Sequence, residues 1–343
     1  MNETVVAMSE CDRYIAGSLV TLFGFVGITL NTCVMYAVIK NKKFSMSFGS
    51  MCVSQLAANL GTSLVLGLCV GPVNIIDPSL HSTYLGGVCG QMLILFWNAS
   101  IFSRVLSSVN RLITLLHPFH YELIITSRLT VLLIIAVWMV SCAQAAPYLD
   151  QSCAFVFSQL NFTPEFQTTT CGVVTGVYLF FFVGIITVAL IFAIDFVAFL
   201  KMHQIQKTAY QRVPNQDYRF LLQIFIQATA SSSQLFLYFW ISPEFKEESW
   251  INFAAKTLSW FIVPFVDGAV FMLFNPDLRL CKKKVIREPI TVDLPRKSVH
   301  TIEMSVSVTK RNNKETGKNE LEISSISTIS AGATELEDIS VYM

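Results

Sequence analysis

Seven runs of apolar residues decide most of what this chain can become. Each is long enough to cross the roughly 30 Å hydrocarbon core of a bilayer as a helix of about 17 to 25 residues. They occupy about 14 to 39, 46 to 71, 88 to 115, 129 to 148, 172 to 200, 220 to 241 and 251 to 274. The runs are continuous, without the alternation of an outer-membrane strand, so they read as helices. Composition agrees, with 53% hydrophobic residues and only 14% charged. The charges are also uneven: residues 14 to 274 hold 22 of them, and the 69 residues that follow hold 21. The expected fold is an all-α membrane protein, a seven-transmembrane helix bundle over 14 to 274. A polar N-terminal segment, 1 to 13, precedes it. A short amphipathic eighth helix at 275 to 285 and a disordered, Ser- and Thr-rich tail over 286 to 343 follow it. The formal net charge is +1 and no basic stripe stands out, which speaks against a nucleic-acid partner.

Orientation follows from Lys and Arg, which are retained in short cytoplasmic loops. Lys40, Lys42, Lys43, Arg128, Lys201, Lys207, Arg212 and Arg219 lie in one set of loops, whereas the alternate loops hold only Lys246. The N-terminus is therefore expected outside and the tail inside. Residues 1 to 13 include Glu3, Glu10, Asp12 and Arg13, too polar for a cleavable signal, so the first span is expected to target the chain itself. Asn2 and Asn161 head glycosylation sequons on the outer face. Cys11, Cys89, Cys153 and Cys171 also lie outside, where disulfides persist. Four cysteines allow three pairings; Cys89 to Cys171 is favoured, with Cys89 to Cys153 second.

The marks inside the spans resemble those of rhodopsin-like G protein-coupled receptors, in the right order. Gly27 and Asn31 fit the first helix, and Leu56-Ala57-Ala58-Asn59 fits the second, with Asn for its usual Asp. Asn110-Arg111-Leu112 stands where an acid-Arg-Tyr triplet ends the third helix, and Trp138 and Pro147 fit the fourth. A closer likeness is to the nematode serpentine chemoreceptors of class X. It is carried by Asn110 to Tyr121, Cys153 to Cys171, Asp195 to Lys201 and Asp267 to Arg279. The resemblance implies coupling to a heterotrimeric G protein around Asn110 and Arg111, and a small-molecule ligand. It also implies a plasma-membrane receptor, with the ciliary membrane of a sensory neuron as the expected site.

Departures from the larger family are specific. Asn110 replaces the acid beside Arg111, so its ion pair must either come from elsewhere, with Asp217 at the foot of the sixth helix the candidate, or be absent. The sixth span has no proline, and Gln223, Gln227, Gln234 and Ser231 to Ser233 supply polar groups instead. Asn275 and Pro276 suit a helix start, and Phe274, Leu278, Cys281 and Val285 share one face beside Lys282 to Lys284, as in a surface-lying segment. Cys281 is either a palmitoylation site or unmodified. The serines and threonines of the tail, Ser324 to Ser330 among them, suit phosphorylation and capture by an arrestin-like protein, or simply solvation.

Ionisable groups within spans are costly, and their default place is interior and functional. Arg104 lies seven residues before Arg111, and Asp267 seven before Phe274, so both sit about 10 Å from the cytoplasmic end at about 1.5 Å per residue. In rhodopsin-like receptors the second-helix acid and the seventh-helix Asn face each other; here Asn59 and Asp267 look exchanged. An intramembrane polar cluster of Asn31, Asn59, Arg104 and Asp267 is therefore expected, with an Arg104–Asp267 ion pair in place of a sodium ion. Arg104 in an aqueous crevice, or paired with Asp195, is the competing reading.

Counting from Arg111 puts Leu93, Ile94, Trp97 and Asn98 on the pocket side of the third helix. Tyr178, Thr257, Trp260 and Phe261 are expected to join them. Lys256 either faces this pocket or snorkels to water. No acid stands in the pocket, which fits a small neutral or anionic ligand better than an amine. No lysine occupies the position of a retinal Schiff base, which falls on Phe261. The alternative class is a transporter or channel, against which stand the odd span count and the lack of an internal repeat. An enzyme is not expected: no His-Glu-x-x-His, no Gly-x-Ser-x-Gly and no paired membrane carboxylates occur. No cofactor or metal is expected.

Overall fold

A computed structural model describes residues 9–40, 46–208, 214–245, 248–274, 306–312 and 319–326. Asn2, Cys281 and the eighth helix expected at 275 to 285 lie outside the described residues. These residues divide into two units.

The first unit is the bundle. Its helices are α1 (Glu10–Lys40), α2 (Ser47–Ile76), α3 (Tyr84–Leu116), α4 (Ser127–Leu149), α5 (Thr170–Ile205), α6 (Pro214–Phe236) and α7 (Ser249–Phe274). Six of them are long and apolar enough to cross a membrane by length and composition among the described residues, and α6 completes the seven. The first helix starts at Glu10, four residues before the expected boundary, because Ser9 caps it: its Oγ accepts from the Asp12 N–H at 3.2 Å and its own N–H donates to Asp12 Oδ2 at 3.1 Å.

Which helices sit at the rim follows from what they expose. Leu132, Ile135, Met139 and Val140 on α4 and Ile186, Phe192 and Phe196 on α5 are all exposed. Water would punish such faces and lipid accepts them. The central helix is α3, which packs on α2, α4 and α5 and buries a stripe from Cys89 to Asn110. Helices α1 and α2 meet through Gly24 and Gly67, where a Cβ on either would strike the other's backbone.

Among the described residues, three helices carry π-helical stretches: α2 at Val65–Val70, α5 at Thr175–Phe182 and the continuation of α6 at Leu237–Ile241. All three lie toward the end of the bundle that holds the α4–α5 loop. That loop folds into a hairpin, β1 (Phe155–Phe157) with β2 (Pro164–Phe166), pairing Phe155 with Phe166 and Phe157 with Pro164. Phe162, at φ 54°, turns the chain between them. This end is called the hairpin end below, and the other the Arg111 end.

A disulfide joins Cys153 to Cys171, which corrects the expected Cys89–Cys171 pairing and its Cys89–Cys153 rival. The hairpin brings its own two ends to a Cα separation of 4.9 Å, well suited to a bridge. Cys89 is buried in α3 with its thiol against that of Cys69 on α2. Asn161, which heads the second expected sequon, is packed into the hairpin. Asn161 is only 5% exposed, its Oδ1 accepts from Ser158 Oγ at 2.7 Å, and Thr163 is fully buried.

The second unit holds an antiparallel hairpin of β3 (Val306–Asn312) and β4 (Asn319–Ile326). It stands within the tail expected to be disordered. Average polarity over the tail hides local order here: Val306, Val308, Ile323 and Ile326 favour strands, and Arg311 falls opposite Glu320.

Candidate functional site

Side chains from three helices converge on Asp267 of α7, which is fully buried. Its Oδ2 accepts from Gln55 Nε2 at 2.9 Å, Asn59 Nδ2 at 3.0 Å and Arg104 Nη2 at 3.2 Å, while Oδ1 accepts from Gln227 Nε2 at 3.3 Å. Arg104, 2% exposed, also donates through Nη1 to Ser231 Oγ and to the Gln227 carbonyl at 3.4 Å. Ser100 donates to Asn59 Oδ1 at 2.7 Å. Helices α2, α3, α6 and α7 thus share one charge-neutral network. A buried carboxylate is tolerable only when paired and hydrogen-bonded, and this one has a guanidinium and three amide donors.

The structure brings Arg104, Asp267 and Asn59 into direct contact and leaves Asn31 one step away. Asn31 Nδ2 bonds the carbonyls of Gly27 at 2.9 Å and Pro264 at 3.3 Å, linking α1 to α7 just above Asp267 in sequence. Asp195 does not partner Arg104. It lies against Arg111, with Oδ1 3.1 Å from Nη2, and accepts from Ser108 Oγ at 3.0 Å. That pairing replaces the expected search for Asp217, whose side chain is outside the described residues. Asn110 is buried beside it, and its Oδ1 accepts from Tyr121 Oη at 2.9 Å, so the inner loop is fastened where other receptors carry an acid.

Toward the hairpin end, Leu93, Ile94, Trp97, Asn98, Thr257, Trp260 and Phe261 are all buried. The pocket they were expected to line is filled by aromatic rings. Phe155 of β1 lies 4.7 Å from Phe166, 5.7 Å from Trp260 and 6.4 Å from Tyr238; Phe180 lies 4.5 Å from Trp97 and 5.9 Å from Trp260. Trp97 Nε1 donates to Gln234 Oε1 at 3.2 Å, tying α3 to α6. Gly90 on α3 makes room for the hairpin, because a Cβ there would strike the Phe155 carbonyl.

Tyr178 is corrected: it is 60% exposed and stacks on Phe182 at 5.9 Å on the outer wall. The π-helical turn of Thr175–Phe182 breaks the 3.6-residue count and presents Phe180 inward instead. Lys256, expected to snorkel or face the pocket, bonds Glu165 of the hairpin at 2.8 Å. Sequence reasoning missed Gln55, Ser100, Glu165, Phe155 and Tyr238. Of these, only Glu165 carried a signal, as one of two acids in the α4–α5 loop.

Residues 21–275 match the family of serpentine type 7TM GPCR chemoreceptors, Srx. The chain belongs to that family. Serpentine receptor class X 45 of Caenorhabditis elegans is 25% identical, with 83% of each chain covered. Squid rhodopsin's crystal structure superposes with a TM-score of 0.59 at 15% identity, covering 80% of this chain and 85% of that one, a likeness of fold. This Srx protein is accordingly a multi-pass membrane receptor of a non-enzyme class, whose family implies a G protein and a small-molecule ligand as partners.

Proposed function

We propose that this Srx chain is a chemosensory receptor that takes a small neutral or anionic ligand at the hairpin end and activates a heterotrimeric G protein at the Arg111 end. The N-terminus and hairpin face outward, in the plasma membrane, and sensory cilia are the expected location. The observation that carries the reading is the Asp267 network. It joins α2, α3, α6 and α7 between the aromatic cluster and the Arg111–Asp195 pair. A ligand that repacks the rings of α6 and α7 necessarily strains those bonds, and their exchange lets α6 part from α3. Arg111 then leaves Asp195 and donates to carbonyls at the C-terminus of an incoming G protein helix.

Phosphorylation of the tail and capture by an arrestin-like protein end the signal in this scheme. No observation favours the transporter or channel reading. The test is Arg111→Ala: agonist-driven nucleotide exchange is lost while surface expression stays at the wild-type level. An undiminished response in that variant contradicts the coupling role.

A further inference from the structure

The α4–α5 hairpin fills the ligand site yet is largely closed on itself. Its ladder pairs β1 with β2, Ser158 N–H donates to the Thr163 carbonyl, Gln167 N–H donates to the Ala154 carbonyl, and Cys153–Cys171 ties its ends. The bridge does not reach α3, so no covalent bond pins the hairpin to the bundle's central helix. Phe155 packs on Gly90 of α3, Phe157 packs on His81 and Gln159 bonds Ser82 of the α2–α3 loop, and further polar ties come from α6 and α7. Tyr238 Oη donates to the Pro164 carbonyl at 2.9 Å, Thr257 Oγ1 donates to the Phe162 carbonyl at 2.9 Å, and Lys256 Nζ bonds Glu165 at 2.8 Å. Behind Phe155 the Trp260 Nε1 hydrogen is buried and has no partner among the described residues.

We propose that the hairpin is a displaceable plug, and that its ligand is an apolar molecule carrying one anionic oxygen group. The proposal rests on the receptor reading above and names the ligand class of that site. The apolar body takes the space of the Phe155 and Phe166 rings, and the anion takes the place of Glu165 on Lys256. An acceptor on the ligand also meets the Trp260 N–H. The side chains of Lys256 and Glu165 are 17% and 42% exposed, so an incoming anion reaches the pair from solvent. A neutral ligand that pushed Glu165 aside would strand a cation that is mostly buried. An anionic one keeps it paired. In this structure the plug is seated and both inner ion pairs are closed, so the seated hairpin belongs to the resting arrangement.

The test uses the full-length receptor on intact cells, with Cys11→Ser removing the exposed free thiol of the N-terminal segment. Phe155→Cys, and separately Phe157→Cys in case the first disturbs folding, is labelled with a membrane-impermeant maleimide. Labelling is slow with Lys256 in place and about tenfold faster with Lys256→Glu. It becomes slow again when Glu165→Lys is added. Decanoate speeds labelling in the Lys256 receptor, decanol does not, and Lys256→Ala erases the difference. Unchanged labelling in Lys256→Glu overturns the catch, and equal effects of decanoate and decanol, or none, overturn the anionic ligand. The readout needs no G protein, so a failed Arg111 test leaves this result standing, and the reverse.

Discussion

Asp267 and His81 illustrate two ways in which a polar side chain survives burial. Asp267 is surrounded by a guanidinium and three amides that donate to its two oxygens. In rhodopsin-like receptors a sodium ion often serves near such a carboxylate; here Arg104 supplies the positive charge and both oxygens accept hydrogen bonds. Replacing sodium by choline at constant ionic strength is therefore expected to leave the receptor's thermal stability unchanged. A sodium-dependent rise in melting temperature would show that the ion still finds the site. His81 is instead buried neutral in the loop between α2 and α3. It hydrogen-bonds Asn74 Oδ1 through Nε2 at 2.6 Å and packs 5.4 Å from Phe157. Burial pushes its pKa down to about 4 from an ordinary 6.5. A depressed histidine contributes stability that is full above pH 6.5 and is lost as pH falls from there toward 4, since the unfolded chain takes up the proton first. Melting temperature should drop between pH 7 and 5, and His81→Gln should flatten that drop. An equal drop in the variant would remove His81 as its source.

At the scale of elements, the π-helical turn of α5 decides which aromatic faces the core. Phe180→Ala should cost about 3 to 5 kcal/mol, as large aromatic deletions in packed interiors do. Tyr178→Ala on the exposed wall should stay within about 0.5 kcal/mol. Equal losses in thermal unfolding would mean that α5 is turned otherwise. These helices also mark the limit of what the sequence makes legible. Seven spans follow from run length, and the matched depths of Arg104 and Asp267 follow from two seven-residue spacings. Asn59 is readable as the exchanged partner. Gln55 and Ser100 are not, because small polar residues recur along spans at no distinguishing period. Tyr178 misleads because counting assumes 3.6 residues per turn across a segment that departs from it. No pattern announces that a loop will fold its phenylalanines into the bundle, and four external cysteines leave the pairing open until the hairpin's own geometry is known. In the tail, low average hydropathy conceals the alternation that forms β3 and β4.

Over the whole molecule, three layers lie along the bundle: the aromatic cluster under the hairpin, the Asp267 network, and the Arg111–Asp195 pair. Arg104 and Arg111 are seven residues apart on one helix, about 10 Å of rise, so movement of α3 reaches both layers. The network need not add much net stability, since a buried pair gains little over a well-packed apolar core. Its value to a receptor lies in having distinct joined and parted arrangements. The most direct measurement is a double-mutant cycle on Arg104→Ala and Asp267→Ala, read both as thermal stability and as ligand-independent nucleotide exchange on a purified G protein. Each single variant leaves a buried charge without its partner and should lose about 3 to 5 kcal/mol or signal abnormally. The double variant should be milder than either. Strictly additive defects would contradict an Arg104–Asp267 pair that acts as one unit.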